Sequence, residues 1–150
     1  MLSWVRGYVI ALAFAAALGA VVSSTFVLNA LAAISGPIPL GDRLNAAGAD
    51  IVGFAPTFAA VLAVPMALLF GVAGFAARAA PPVRMPLLIV AGAGTVGLVL
   101  FGLTLAIGTQ VVAGAREPAG LAAQCGVGAL AGALFALIHR PAAKAKAETA

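Results

Sequence analysis

Four long apolar stretches, none of which contains a charged residue, constrain the fold of this chain most strongly. The short gaps between them hold nearly every charge, and only 8% of the 150 residues are charged, against roughly a quarter in soluble domains. A hydrocarbon core of about 30 Å requires about 20 apolar residues per helix, which leaves room for four spans and short connections. The sequence therefore predicts an all-α, multi-pass membrane protein with a single domain over residues 1–150.

The predicted spans cover about residues 7–34, 51–77, 86–107 and 119–138, and they are expected to form an antiparallel four-helix bundle. The start of the first span resembles a signal peptide, but its apolar pattern continues to Leu31, which predicts a retained helix. Between the first two spans, Leu40 to Asp50 predicts a short helix at the membrane interface, because its apolar residues fall on one side. Asp50 is expected to cap the second span, where its carboxylate meets free amides.

The positions of lysine and arginine predict the orientation of the spans. If the N-terminus lies in the cytoplasm, six basic residues fall on the cytoplasmic side and two on the other. The six are Arg6, Arg78, Arg84, Arg140, Lys144 and Lys146, and the two are Arg43 and Arg116. Both termini are therefore expected in the cytoplasm, with residues 139–150 as a cytoplasmic tail. Anchoring to anionic lipid explains the net charge of +4, so nucleic acid is not an expected partner.

Small residues recur at spacings that place them on one face of each predicted helix. Lipid does not drive helices together, so such faces associate through close packing and a few hydrogen bonds. We expect them to close the bundle, with a face reserved for another subunit as the alternative. The predicted packing positions are Ala11, Ala15, Gly19, Gly94, Gly97, Gly120, Gly128 and Gly132.

Three glycines, Gly92, Gly94 and Gly97, match the GxGxxG fingerprint of dinucleotide-binding proteins. That fingerprint requires a strand before the glycine loop and a helix after it, whereas these glycines lie inside an apolar span. They therefore predict close helix packing, and we expect no bound cofactor.

The polar residues within the predicted spans are all uncharged. Serine and threonine hydroxyls can bond to a carbonyl of their own helix, but the amide of Gln124 cannot be fully satisfied that way and predicts a contact across a helix interface. Thr95 and Thr57 are further candidates for a polar contact. Pro65 removes the hydrogen bond to the Val61 carbonyl and predicts a kink, which serves either packing or a hinge.

The missing reactive groups exclude several functional classes. Ion-coupled transporters keep an ionisable residue in the membrane, as the four-helix multidrug exporters keep a glutamate. Disulfide-handling enzymes need cysteine pairs, whereas Cys125 is the only cysteine, and glutathione-dependent membrane enzymes need charges inside the bundle. We therefore expect no enzyme activity and no metal site. His139, the one histidine, leaves a haem or pigment ligand as an alternative, because one imidazole is enough for such a group.

Two segments, PIPLGDRLNAAGADIVGFAP and AREPAGLAAQCGVGALAGALFALIHR, resemble a group of uncharacterised, small four-span proteobacterial inner-membrane proteins. The resemblance implies the fold and the bacterial inner membrane, and nothing about activity. The smooth helix faces predict an accessory, assembly or stabilising subunit, which acts either as a homo-oligomer or within a larger membrane complex. The alternative is a small passive channel or carrier for a neutral or lipid-like solute, lined by Thr57, Pro65, Thr95 and Gln124.

Overall fold

The computed structural model describes residues 2–109 and 112–139, and all regular structure in these ranges is helical. The α-helices are α1 (Leu2–Ser35), α2 (Leu40–Gly53), α3 (Ala55–Ala79), α4 (Arg84–Ile107) and α5 (Pro118–Ile138). Two short 3-10 helices cover Pro81–Val83 and Ala113–Ala115. Gln110 and residues 140–150 of the predicted tail lie outside the described residues.

Four of these helices, α1, α3, α4 and α5, are long and apolar enough to cross a membrane. This finding confirms the predicted all-α fold with four apolar spans, as expected for a multi-pass membrane protein. In lipid, a single apolar stretch of this length can form hydrogen bonds for its backbone N–H and C=O groups only as a helix. This explains why each stretch adopts helical structure.

Proline and glycine set several helix boundaries. α3 and α5 each have proline in the first turn, where the missing amide has no helical partner to lose. α1 begins at Leu2 rather than near residue 7, and it ends before Gly36, whose φ of 91° suits a residue without a side chain. The second span begins at Ala55 rather than at residue 51, because α2 continues to Gly53.

The prediction that Asp50 caps the second span is wrong. Asp50 lies inside α2, and its backbone carbonyl accepts the N–H of Phe54 at 2.8 Å. Because α3 follows α2 after a single residue, no helix N-terminus is free at this position. The Asp50 carboxylate instead accepts a hydrogen bond from the hydroxyl of Ser24 in α1.

The bundle has its closest helix contact between α4 and α5. Near the start of α4, Leu88 lies beside Gly132, and one turn later Gly92 lies beside Gly128. Residue numbers therefore rise along α4 as they fall along α5. α1 packs against α3 and α5, and α3 packs against α4. Each long helix therefore contacts two other long helices.

Large apolar side chains fill the centre of the bundle, and small residues let the helices approach around them. The largest fully buried apolar side chains are Leu62, Met66, Phe70, Leu88, Val96, Leu100 and Phe135. The outer surface is also apolar, since Leu68, Leu98 and Leu105 are 62–70% exposed. Such a surface matches a hydrocarbon environment, whereas water would penalise it.

α2 lies along the C-terminal half of α1. The Arg43 guanidinium in α2 donates a hydrogen bond of 2.8 Å to the side-chain oxygen of Asn29, and Asp50 is bonded to Ser24 farther along. None of the residues of α2, all of which the structure describes, is buried. The location of this helix at a membrane interface stays a prediction.

Candidate functional site

Gln124 lies at the meeting point of three helices and is fully buried. Its Nε2 donates a hydrogen bond of 2.9 Å to the backbone carbonyl of Gly19, which links α5 to α1. Its Oε1 is buried without a hydrogen-bond partner among the described residues. The amide therefore joins two helices and leaves one acceptor unpaired in the core.

Gly19 provides the space that this contact needs. A Cβ atom at this position would lie 2.8 Å from Cε1 of Phe58 in α3 and 3.2 Å from Oε1 of Gln124. Both separations are shorter than ordinary carbon contacts of about 3.5–4.0 Å. The absence of a side chain at Gly19 is thus what allows α1, α3 and α5 to meet.

The remaining predicted packing residues differ in their surroundings. Ala11, Ala15, Gly120, Gly128 and Gly132 are all buried between helices. A Cβ at Gly128 would overlap the carbonyl oxygen of Gly92, and a Cβ at Gly132 would overlap that of Leu88. These contacts bring the backbones of α4 and α5 together, as expected when small residues line a helix interface.

Gly94 and Gly97 do not share that environment. A Cβ at Gly97 would lie 3.3 Å from Sγ of Cys125, whereas a Cβ at Gly94 would meet nothing within 4 Å. The expectation of helix packing therefore needs correction at Gly94. The physical reason is helix rotation, because Gly94 follows Gly92 by two residues and points about 200° away from it.

Two further glycines lie in close contacts, Gly92 and Gly114. The close packing predicted for the glycines of the GxGxxG match is found at Gly92, which lies directly against α5. Gly114, in the connection before α5, lies against the backbone of Ser23 in α1. The signal for Gly92 was available, because it lies four residues from Leu88 and Val96 on one helix face. No sequence pattern marks Gly114.

The three polar candidates do not form a common site. Thr95 is fully buried, and its hydroxyl donates a hydrogen bond of 2.7 Å to the Ala91 carbonyl of its own helix. Thr57 is exposed on the outside of α3. Only Gln124 bonds to another helix, so these residues do not line a shared polar passage.

Pro65 lies beside a shallow groove on the outside of the bundle, between α3 and α4. The groove has a volume of about 350 Å³ and opens to the surroundings. It is lined by Val61, Pro65, Leu98, Val99, Gly102 and Leu103. Pro65 thus faces an apolar surface depression rather than the centre of the bundle.

Arg84 and His139 meet at the C-terminal end of α5. The Arg84 guanidinium donates a hydrogen bond of 3.0 Å to the Ala136 carbonyl and another to the His139 carbonyl. A cation at a helix C-terminus satisfies free carbonyls and meets the negative end of the helix dipole. Sequence reasoning used Arg84 only for orientation and missed this role.

The imidazole of His139 stacks on Phe135, with 5.5 Å between the ring centroids. Burial, together with the positive charge of Arg84, lowers the pKa of His139 below its ordinary value. Within residues 2–109 and 112–139, no group of three or more His, Cys, Asp or Glu side chains is arranged to hold a metal ion.

α2 carries an apolar face that the described part of the chain leaves uncovered. Leu40, Leu44 and Ile51 are 71%, 64% and 41% exposed, and their spacing places them on one side of the helix. We call these three residues the α2 stripe. The polar residues Arg43 and Asp50 bond to α1, whereas Asp42 and Asn45 are exposed.

No protein-family model, curated protein or solved structure matches this chain. The resemblance to four-span proteobacterial proteins therefore stays a prediction.

Proposed function

We propose that this chain is a non-enzymatic accessory or assembly subunit of the bacterial inner membrane, which binds a protein partner through the α2 stripe. The exposure of Leu40 and Leu44 is the observation that carries this proposal, because exposed apolar side chains gain free energy when a partner covers them. The partner is either a second copy of the chain or another subunit of a larger membrane complex.

The length of α1 supports a location of the stripe outside the bilayer. α1 has 34 residues, which corresponds to about 51 Å, whereas the hydrocarbon core is about 30 Å thick. Ser23 contacts Gly114 in the connection between α4 and α5, so the later residues of α1 extend past that end of the bundle. α2 accompanies this extension.

The distance of Leu40 from the bundle favours protein over lipid as its cover. Asp50 is bonded to Ser24 near the end of the bundle, and Leu40 lies ten residues earlier in α2, about 15 Å away along the helix. The headgroup layer on each side is only about 5–8 Å thick. An interfacial position of α2 would place Ile51 in lipid but would leave Leu40 in water.

We further propose an antiparallel bundle with both termini in the cytoplasm. The opposed residue numbering of α4 and α5 supports the antiparallel arrangement. Gly7 lies near Phe135 and His139, so the start of α1 and the end of α5 share one end of the bundle. Arg84 binds at the same end, and the excess of basic residues there favours the cytoplasmic side.

The interior supports a structural role over transport. Apolar side chains such as Met66 and Phe70 fill the centre, and Thr95 and Gln124 take part in packing contacts. Thr57 is exposed, and Pro65 faces the outer groove. The residues expected to line a channel therefore do not come together, which disfavours that alternative.

Photocrosslinking from α2 tests the proposal directly. A photoreactive amino acid replaces Leu44 in one variant and Asn45, its exposed neighbour about 100° around the helix, in the control. We expect a protein adduct from position 44 in native membranes and much less from position 45. The mass of the adduct distinguishes a second 14.6 kDa copy from another subunit.

Two outcomes would contradict the proposal. One is a monomer after gentle detergent extraction, with no protein adduct from position 44. The other is an adduct with lipid alone, which would instead support α2 as an interfacial helix.

A spectrum of the purified protein separately tests the pigment alternative, since a colourless sample excludes a haem or chlorin at His139.

A further inference from the structure

We propose that the groove between α3 and α4 binds a neutral lipid alcohol, whose hydroxyl group donates a hydrogen bond to the backbone carbonyl of Val61. The groove lies where the helical hydrogen bonding of α3 is interrupted, because Val61 and Pro65 both line the groove. This inference is independent of the partner proposed for α2.

The groove is shallow and open, and it lies on the apolar outer surface of the bundle. Its volume of about 350 Å³ falls within the range of ligand pockets, about 300–1,000 Å³. Gly102 keeps it open, since a Cβ atom there would meet nothing within 4 Å. Leu98 at its edge is 62% exposed, so a chain lying in the groove is accessible from the surrounding lipid.

Val61, whose backbone carbonyl is the acceptor in this proposal, is one of the residues that line the groove. In an unbroken helix the amide four residues later would donate to it, but Pro65 has no N–H. An unpaired carbonyl is costly in hydrocarbon, where neither water nor lipid tails supply a donor. The position therefore favours a ligand that carries its own donor.

Among the described residues, none that lines the groove carries a side-chain donor. All six lining residues are apolar or glycine. The hydroxyls of Thr95 and Thr104 in α4 already donate to the carbonyls of Ala91 and Leu100. A hydroxyl group of the bound molecule is thus the donor that the geometry accommodates.

The surroundings also select a neutral lipid over a phospholipid. None of the six lining residues is charged, so a phosphate would have no cationic partner there. Val61 lies six residues after the start of α3, about 9 Å along the helix. A single hydroxyl can reach this depth with far less loss of hydration than an ionised headgroup.

Photolabelling of the purified full-length protein in lipid nanodiscs tests this assignment. The probes are a diacylglycerol with a photoreactive acyl chain and its methyl ether, which has the same chains but no donor. We expect the alcohol to label peptides of α3 and α4 about threefold to tenfold more strongly than the ether, as one intramembrane hydrogen bond would allow. Equal labelling by the two probes would overturn the proposal.

Two substitutions separate the hydrogen bond from the shape of the groove. Pro65→Ala restores the amide that pairs with Val61, so the preference for the alcohol should disappear while labelling by the ether persists. Gly102→Leu fills the groove and should reduce labelling by both probes. Gly126→Leu is the control, because its position in α5 also has nothing within 4 Å but lies outside the groove.

Thermal unfolding establishes that each variant is folded before labelling. A persistent alcohol preference in a folded Pro65→Ala variant would overturn the role of the Val61 carbonyl. Unchanged labelling of a folded Gly102→Leu variant would overturn the groove as the site. If Pro65→Ala does not fold, the alcohol and ether comparison in the unmodified protein still decides the role of the donor.

Discussion

The contact between α4 and α5 and the contact between α1 and α2 hold their helices in different ways. Between α4 and α5, backbone meets backbone, and a side chain at Gly92 or Gly128 would overlap a carbonyl of the facing helix. Between α1 and α2, a hydrogen bond joins Ser24 to Asp50, while the α2 stripe faces outwards. In the contact between α4 and α5, the small residues are buried against the facing helix. In the contact between α1 and α2, the apolar residues of the α2 stripe stay exposed.

This difference separates outward apolar residues within the candidate membrane spans from outward apolar residues on a helix outside those spans. The outward leucines of α4, such as Leu98 and Leu105, belong to an apolar span and match hydrocarbon. Leu40 and Leu44 belong to a helix that contains charged residues and lies beside the extension of α1. An interaction surface is therefore expected at α2 rather than along α4 and α5.

The largest expected effect comes from breaking the contact between α4 and α5. Gly128→Leu should lower the free energy of unfolding by about 3 kcal/mol, because its side chain has no space beside Gly92. Reversible denaturation in detergent measures the change. Gly126→Leu on the open side of the same helix is the control and should stay within about 1 kcal/mol. Equal destabilisation by both variants would show that the backbone contact does not govern stability.

A smaller effect is expected at the contact between α1 and α2. Ser24→Ala removes the donor to the Asp50 carboxylate and should cost about 1 kcal/mol. The change should be local, so hydrogen exchange should accelerate in α2 more than in α5. Thr25→Ala is a useful control, because the Thr25 hydroxyl bonds to the Val21 carbonyl of its own helix rather than to α2. Uniform acceleration across the chain would contradict a local role.

The α2 stripe should respond in the opposite manner, with partner binding lost and stability kept. Leu44→Asn should change the free energy of unfolding by less than about 0.5 kcal/mol, because Leu44 is 64% exposed. The same substitution should greatly reduce recovery of the partner after crosslinking. Asn45→Asp changes a neighbouring exposed position and should leave recovery intact. A destabilised Leu44→Asn protein would show that the stripe belongs to the fold.

The smallest expected effect concerns pH at the end of α5. Burial and the charge of Arg84 lower the pKa of His139 below its ordinary value of 6.5, so the folded protein binds this proton less tightly than the unfolded chain. Its contribution to stability is complete above pH 6.5 and declines as pH falls below that value. Thermal unfolding at pH 7.5 and 5.5 should show this decline, and His139→Gln should reduce it. An unchanged decline in His139→Gln would assign it to other groups.

The sequence predicted a feature correctly where a residue type allows only one structure in lipid. It failed where the feature depends on which face of a helix is turned towards its neighbour. Gly92 and Gly94 lie two positions apart in one motif, yet Gly92 packs on α5 and Gly94 faces outwards. Composition cannot distinguish them, because the outcome depends on which face of α4 meets α5. Gln124 was recognisable as a bonding residue since its amide needs a partner, but its partner, the Gly19 carbonyl, is 105 residues away in sequence.

The charged positions followed the same pattern. Asp50 was interpreted as a cap from its place before an apolar stretch, but α2 continues past it and turns it towards Ser24. Arg84 marks one end of a span in the sequence, and only the folded bundle brings it to the carbonyls of Ala136 and His139. Each role depends on the position of a second helix.

By itself, the sequence determined the four apolar helices, because long uncharged stretches satisfy their backbones in hydrocarbon only in that form. The tertiary structure decided which glycines close the bundle, where the Val61 and Pro65 groove opens, and which way α2 faces. These features depend on the relative rotation and register of helices that are distant in sequence. Such contacts arise from shape and a few hydrogen bonds, which local composition does not encode.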